Sequence, residues 1–186
     1  MKFSRREHFE LSPIKAIELQ AAKIPGSVSL AQGIPSFRTP SVIKDFVYER
    51  IREGACDKYS LTTGLSELRE EIALSLERDG VRYDPESEIL ATVGSIEGIT
   101  ATLLATTEPG VEVLLPSPSY VSYRGAIEIA KCSARYVPLD EDNNFDFDLE
   151  KIAAAITPKT RVLLYCSPNN PTGTIFSESA TRGLVQ

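Results

Sequence analysis

The apolar residues in the first part of the chain recur at the three- and four-residue spacing typical of amphipathic helices. Three helices are predicted there. The first lies within residues 1–24, the second opens at residues 39–41 and ends near residue 53, and the third runs from residue 65 to 78. Their apolar positions are Ile14, Ile17 and Leu19, then Val42, Phe46 and Ile51, then Leu65, Leu68, Ile72 and Leu76. Between the helices, Val28 and Leu30 predict a short strand, and residues 54–64 (GACDKYSLTTG) a loop.

From residue 89 onward, short β-branched runs alternate with stretches at helical spacing. Strands are predicted at residues 89–93, 112–115, 134–137 and 161–165, with helices around 96–104, 120–130 and 149–156. This alternation is typical of an α/β layer with a mostly parallel sheet. Ligands of such sheets bind at the carboxyl ends of the strands. The loops 94–97, 116–120 and 166–173 are therefore the candidate functional segments.

Each of these three loops has a functional and a purely structural interpretation. Gly94 and Ser95 follow a predicted strand and open a helix, where unpaired N–H groups favour a phosphate; alternatively, Ser95 is an ordinary N-cap. In LLPSPSYVSY, Tyr120 is placed to stack on a flat ligand or to pack against its own helix. In CSPNNPTG, Asn169 and Asn170 lie between two prolines that restrict the backbone. They either donate hydrogen bonds to a ligand or cap a turn.

Composition and charge argue against several classes of protein. The 186 residues carry 20 basic and 26 acidic side chains, for a net charge of −6, so no nucleic-acid partner is expected. No apolar run reaches the roughly 18 residues that a membrane span needs, and the start lacks the apolar stretch of a secretory signal. The three cysteines, without a CxxC pair, indicate reduced thiols in a cytoplasm. With His8 as the single histidine, no zinc motif is expected, and a Ser-His-Asp triad would need His8.

Five collinear strings identify a family resemblance. LAQGIPSF, DKYSLTTGLSELREEIA, TVGSIEGI, PSPSYVSY and SPNNPTG together resemble the class I and II aminotransferases, which are fold type I pyridoxal-phosphate enzymes. The resemblance implies a three-layer α/β sandwich with a mostly parallel sheet, of which this chain would hold an incomplete part. Residues 1–45 would be an N-terminal arm with part of a small domain, and residues 46–186 the first half of the cofactor-binding large domain.

The resemblance also implies a role for each candidate residue. The cofactor would be pyridoxal 5′-phosphate, bound by Gly94, Ser95, Ile96, Tyr120, Asn170 and Tyr59. Backbone N–H groups at residues 94–96 would hold the phosphate, Tyr120 would stack on the pyridine ring, and Asn170 would hydrogen-bond its phenolic oxygen. Gly33 and Asn170 would lie near the substrate carboxylate, and Tyr59 would reach the cofactor of the other subunit in a homodimer. Gly33 as a simple turn and Tyr59 as local packing remain alternatives, and the Ser117-Pro118 and Asn170-Pro171 bonds are expected to be cis.

A catalytic lysine of the family type is missing from this sequence. The Schiff-base lysine of the family follows the asparagine string in an [ST]-x-[ST]-K context, and no lysine follows it here. We therefore expect a chain that lacks the second half of the fold and is inactive alone, from a parent enzyme that moves an amino group between an amino acid and a 2-oxo acid. A fold type I lyase or synthase, such as a C–S lyase, and a non-catalytic truncated subunit are the alternatives.

Overall fold

A computed structural model of the chain describes residues 12–31 and 33–185, and His8 lies outside them. The chain divides into two compact units, with residues 12–92 in the first and residues 93–185 in the second among those described. The predicted division after residue 45 concerns the domains of a larger fold and stays a prediction.

The first unit contains three helices, α1 (Pro13–Ala21), α2 (Ser41–Arg52) and α3 (Ser66–Arg78). All three predicted helices are confirmed, and residues 54–64 form turns and a loop as predicted. The predicted strand at Val28 and Leu30 is wrong, because residues 27–30 have no regular secondary structure. Both side chains are exposed, at 84% and 92%. A strand needs a paired neighbour, and this segment is not paired with one.

The strand predicted at residues 89–93 is also wrong. The segment has no strand conformation, although the Ala91 N–H donates to the Thr63 carbonyl at 3.0 Å. Gly64 passes close to it, since a Cβ on Gly64 would lie 2.6 Å from the Ala91 Cβ. The β-branched composition favours an extended backbone, but only pairing with a neighbouring strand turns such a backbone into a sheet.

Polar contacts rather than an apolar core organise the first unit. Among its described residues only Arg69 is buried, at 2% exposure. Its guanidinium donates to the Pro85 carbonyl, to Ser66 Oγ at 3.3 Å and to Glu86 Oε1 at 3.2 Å. Arg69 thus connects α3 to the turn at residues 85–88. The apolar faces of the three helices remain largely exposed.

The second unit is an α/β layer. Its elements in chain order are α4 (Ser95–Thr106), β1 (Glu112–Ser117), α5 (Ser122–Ile129), β2 (Ser133–Pro138), α6 (Leu149–Ala155), β3 (Thr160–Leu163) and α7 (Glu178–Gly183). The last three predicted strands and the three predicted helices are confirmed, with ends that differ by a few residues. The three strands form a parallel sheet in the order β2-β1-β3.

The central strand β1 places its side chains alternately in two apolar clusters. Val113 and Leu115 belong to a cluster with residues of α4 and α5, whereas Leu114 belongs to a cluster with residues of α6 and α7. The second cluster includes Phe147 and Phe176, whose rings stack with centroids 3.7 Å apart. Helices therefore cover both faces of the sheet. The predicted three-layer α/β class is confirmed, as part of a larger fold.

The chain connectivity singles out one crevice at the sheet edge. β2 and β3 lie on opposite sides of β1, while the helix after β1 packs on one face and the helix after β3 on the other. Adjacent strands whose loops leave toward opposite faces create the crevice in which open α/β sheets bind ligands. That crevice lies at the carboxyl ends of β1 and β3. No helix in the described residues is long and apolar enough to cross a membrane.

Candidate functional site

The first candidate segment is the beginning of α4. Gly94 is its N-cap residue with a φ of +76°, and no side chain caps the helix there. The first N–H groups of a helix have no partners within it, so those of the exposed Ser95 and the half-buried Ile96 can bind an anion. A Cβ on Gly94 would meet no atom within 4 Å, so space lies beside the backbone. The Glu97 carboxylate accepts the N–H of Val93.

The second segment follows β1. The Ser117-Pro118 bond is cis, as predicted. Tyr120 is half-buried and packs edge-on against Tyr123 of α5, with ring centroids 5.5 Å apart at 87°. It also packs against the apolar cluster under α4 and α5. Tyr120 therefore keeps its ring at the carboxyl edge of the sheet.

The third segment follows β3, and its two asparagines have different environments. Asn169 is buried at 4% exposure, and its Nδ2 donates to the Pro118 carbonyl at 3.1 Å and to Thr172 Oγ1 at 2.9 Å. Asn169 therefore holds the loops after β1 and β3 together. Asn170 is exposed, and its backbone N–H donates to the Cys166 sulfur at 3.4 Å. Asn169 thus stabilises the turn, which is the structural role considered for these asparagines. Asn170 keeps the other role, a hydrogen bond to a ligand.

Two peptide bonds that precede prolines in the loop after β3 are also cis. Asn170-Pro171 is cis, as predicted, and Ser167-Pro168 is cis as well, which the sequence did not predict.

The second unit brings several predicted residues to one region. The Asn169–Pro118 hydrogen bond joins the loops that carry Asn170 and Tyr120. Ile96 at the start of α4, Tyr120 and Cys166 all pack against the same apolar cluster. Gly33 and Tyr59 belong to the first unit. Both are exposed, and Tyr59 is fully so at 106%.

Two residues of this region, Tyr123 and Cys166, were missed by sequence reasoning. Tyr123 is 6% exposed, and burial, together with its interaction with the Cys166 thiol, raises its pKa to about 12. Tyr123 follows Tyr120 by three residues, and its backbone N–H donates to the Tyr120 carbonyl at 3.1 Å. That spacing within the predicted helix 120–130 is the signal that would have found it. Cys166 precedes the asparagine string directly, but a lone cysteine there is not distinctive.

The arrangement has the donor set for a flat, phosphorylated ligand. It offers backbone N–H groups and the Ser95 hydroxyl for an anion, an aromatic ring for stacking, and the exposed amide of Asn170 for hydrogen bonding. Within the described residues, no cluster of histidine, cysteine and acidic side chains has the arrangement of a metal site. Pyridoxal 5′-phosphate, which presents a phosphate, a flat ring and a phenolic oxygen, fits this donor set.

Comparison with known proteins gives a consistent result. The model of the family "aminotransferase class I and II" matches residues 25–186. An aromatic-amino-acid aminotransferase from Thermococcus litoralis is 36% identical over 94% of this chain and 45% of its own length. A probable N-succinyldiaminopimelate aminotransferase from Mycobacterium tuberculosis is 36% identical over 100% of this chain and 47% of its own length.

Solved structures agree with the sequence comparison. The aspartate aminotransferase of Thermus thermophilus with maleate matches with a TM-score of 0.91 and 31% identity, covering 99% of this chain and 49% of that one. The N-succinyldiaminopimelate aminotransferase of Mycobacterium tuberculosis matches with a TM-score of 0.90 and 35% identity, covering 99% and 48%. The chain spans about half the length of the curated relatives it matches.

Proposed function

Because the chain belongs to the class I and II aminotransferase family, we propose that its second unit binds pyridoxal 5′-phosphate for amino-group transfer between an amino acid and a 2-oxo acid. The observation that supports this most is the loop pair at the ends of β1 and β3. Asn169 joins the two loops, so Tyr120 and the exposed Asn170 lie on connected segments at the edge where open α/β sheets bind ligands. The N-terminus of α4, at Ser95, adds an anion site.

Each residue acts on the cofactor through a different interaction. The N–H groups of Gly94, Ser95 and Ile96 bind the phosphate at the positive end of α4. The Tyr120 ring limits the tilt of the pyridine ring by stacking, and the Asn170 amide donates to its phenolic oxygen. When bound, pyridoxal phosphate supplies an aldehyde that condenses with amines and a ring that withdraws electrons from the substrate. This chain supplies binding and orientation.

Gly33 and Tyr59 complete the proposal from the first unit. Gly33 lets its backbone approach the substrate carboxylate because it has no Cβ. Tyr59 reaches the cofactor phosphate of the other subunit in a homodimer. Its complete exposure within this chain agrees with a side chain whose partner is another molecule. We also propose a cytoplasmic location, which the three free cysteines support, because thiols stay reduced in that compartment.

We propose transamination rather than the lyase or synthase chemistry of related fold type I enzymes. The relatives named above are aminotransferases, and they differ in their amino-acid substrates. The choice of substrate is therefore not assigned to residues of this chain.

The proposal predicts reversible rather than covalent binding of pyridoxal phosphate to this chain. No lysine follows the asparagine string, so no amine of the family type is available beside the aldehyde. After borohydride reduction and peptide mapping, label is expected to be weak and spread over the lysines, which are Lys2, Lys15, Lys23, Lys44, Lys58, Lys131, Lys151 and Lys159. Stoichiometric labelling of one lysine, lost when that lysine is replaced by arginine, would contradict the expectation.

A further inference from the structure

Cys166 contacts both asparagines of the loop after β3. It is half-buried and packs against the apolar cluster under α4 and α5. Its sulfur accepts the backbone N–H of Asn170 at 3.4 Å, and its thiol lies 3.8 Å from Asn169 Oδ1 as a hydrogen-bond donor. The thiol therefore fixes the direction in which the backbone presents the Asn170 side chain.

The same thiol reaches the aromatic side of the site through Tyr123. The Tyr123 hydroxyl interacts with the Cys166 thiol, and Cys166 packs against the apolar cluster that contains Tyr123. The Tyr123 ring packs edge-on against Tyr120, with ring centroids 5.5 Å apart. A continuous set of contacts thus runs from Tyr120 through Tyr123 and Cys166 to Asn170. Because burial raises the pKa of Tyr123 to about 12, its hydroxyl keeps its proton at neutral pH.

We propose that Cys166, with Tyr123, is a positioning residue that aligns Tyr120 and Asn170 for the ring of the bound cofactor. This inference rests on the proposed function, since Tyr120 and Asn170 are the residues assigned to that ring. Cys166 itself touches Tyr123, Asn169 and the Asn170 backbone. Cys166 is therefore expected to affect the binding of the pyridine ring and not that of the phosphate, because the phosphate is assigned to the start of α4.

The test measures the binding of two probes to the full chain and to four variants of it. Pyridoxal phosphate binding is followed by titration and by its induced circular dichroism, a signal that depends on a fixed ring orientation. Inorganic phosphate binding is followed by ³¹P NMR. The variants are Cys166→Ala, Cys166→Ser, which keeps a hydroxyl, Tyr123→Phe, which removes only the hydroxyl, and Cys56→Ala as the matched control at an exposed cysteine. Far-UV circular dichroism establishes that each variant is folded.

Cys166→Ala is expected to weaken pyridoxal phosphate binding about tenfold, as the loss of a hydrogen-bonded group implies, and to abolish most of the induced signal. Its affinity for inorganic phosphate stays within about twofold of the parent chain, a split that general structural damage does not produce. Tyr123→Phe is expected to weaken pyridoxal phosphate binding and the induced signal in the same direction as Cys166→Ala, with inorganic phosphate binding again unchanged. Cys166→Ser restores part of the loss, and Cys56→Ala has no effect. If Cys166→Ala does not fold, the Tyr123→Phe comparison decides.

Equal weakening of both probes, or unchanged binding and signal in Cys166→Ala and Tyr123→Phe, would overturn the positioning role while leaving the proposed function in place. A parent chain that binds neither pyridoxal phosphate nor inorganic phosphate would instead overturn the proposed function, and the positioning role with it.

Discussion

The purified chain is expected to self-associate as its concentration rises, because its first unit buries almost none of its apolar side chains. Among the described residues, 31 large hydrophobic side chains are exposed, and 21 of them lie in residues 12–92. No residue of α2 is buried, although the helix carries Val42, Phe46 and Ile51. Burial stabilises by roughly 25 cal/mol per Å², so a covered patch of a few hundred Å² contributes several kcal/mol. That is comparable to the net stability of a domain.

Sedimentation velocity and thermal unfolding at several concentrations measure this association. We expect the average mass and the midpoint temperature to rise together with concentration. Phe46→Lys, at a side chain 61% exposed on α2, is expected to reduce association several-fold. Ile129→Lys, at a side chain 49% exposed in the second unit, is the matched control and should change it little. A monomer with a cooperative, concentration-independent transition would show that the chain is stable without further contacts.

Replacing Arg69 by alanine is expected to destabilise the region around α3 by about 2–4 kcal/mol, through lost hydrogen bonds and an unfilled space. Its guanidinium is buried and bonded to Ser66, Pro85 and Glu86. The Glu86 side chain is 69% exposed, so the ion pair itself contributes only a small part. The main loss is the connection between α3 and the turn at residues 85–88.

Amide hydrogen exchange measures this change without requiring global unfolding. Protection of the α3 amides is expected to fall about 30- to 700-fold in Arg69→Ala, since roughly 1.4 kcal/mol corresponds to a factor of ten. Arg78→Ala, at an exposed arginine on the same helix, is the control and should alter protection less than about threefold. Equal protection in the two variants would mean that Arg69 does not hold this region together.

The helices α1 to α6 and the three paired strands could be predicted because their signals are local, whereas α7 was not among the predicted helices. The apolar spacing in α3 and the β-branched run in β3 appear within a few residues of sequence. The strands expected at residues 27–30 and 89–93 were wrong because a strand depends on a partner, and partners are distant in sequence. Residues 89–93 have the composition of a buried strand, yet no described strand of this chain pairs with them.

The sequence predicted which loops form the candidate site, but not which residue of a loop has which role. The string SPNNPTG pointed to both asparagines, whereas the structure buries Asn169 as the link to Pro118 and exposes Asn170. Pattern alone does not separate two identical side chains in adjacent positions. The contacts of Cys166 with Tyr123 and Asn170 arise from the pairing of β1 with β3, which brings their following loops together.

A crystal structure of the protein with pyridoxal phosphate tests the central claim most directly, because the claim is that three separate loops form one cofactor site. We predict the phosphorus atom within about 4 Å of the amide nitrogens of Ser95 and Ile96, as hydrogen bonding to phosphate oxygens requires. We also predict the pyridine ring against Tyr120, with its phenolic oxygen at the Asn170 amide. A cofactor bound elsewhere, or Gly94 and Asn170 more than about 20 Å apart, beyond the span of a cofactor-sized pocket, would contradict the claim.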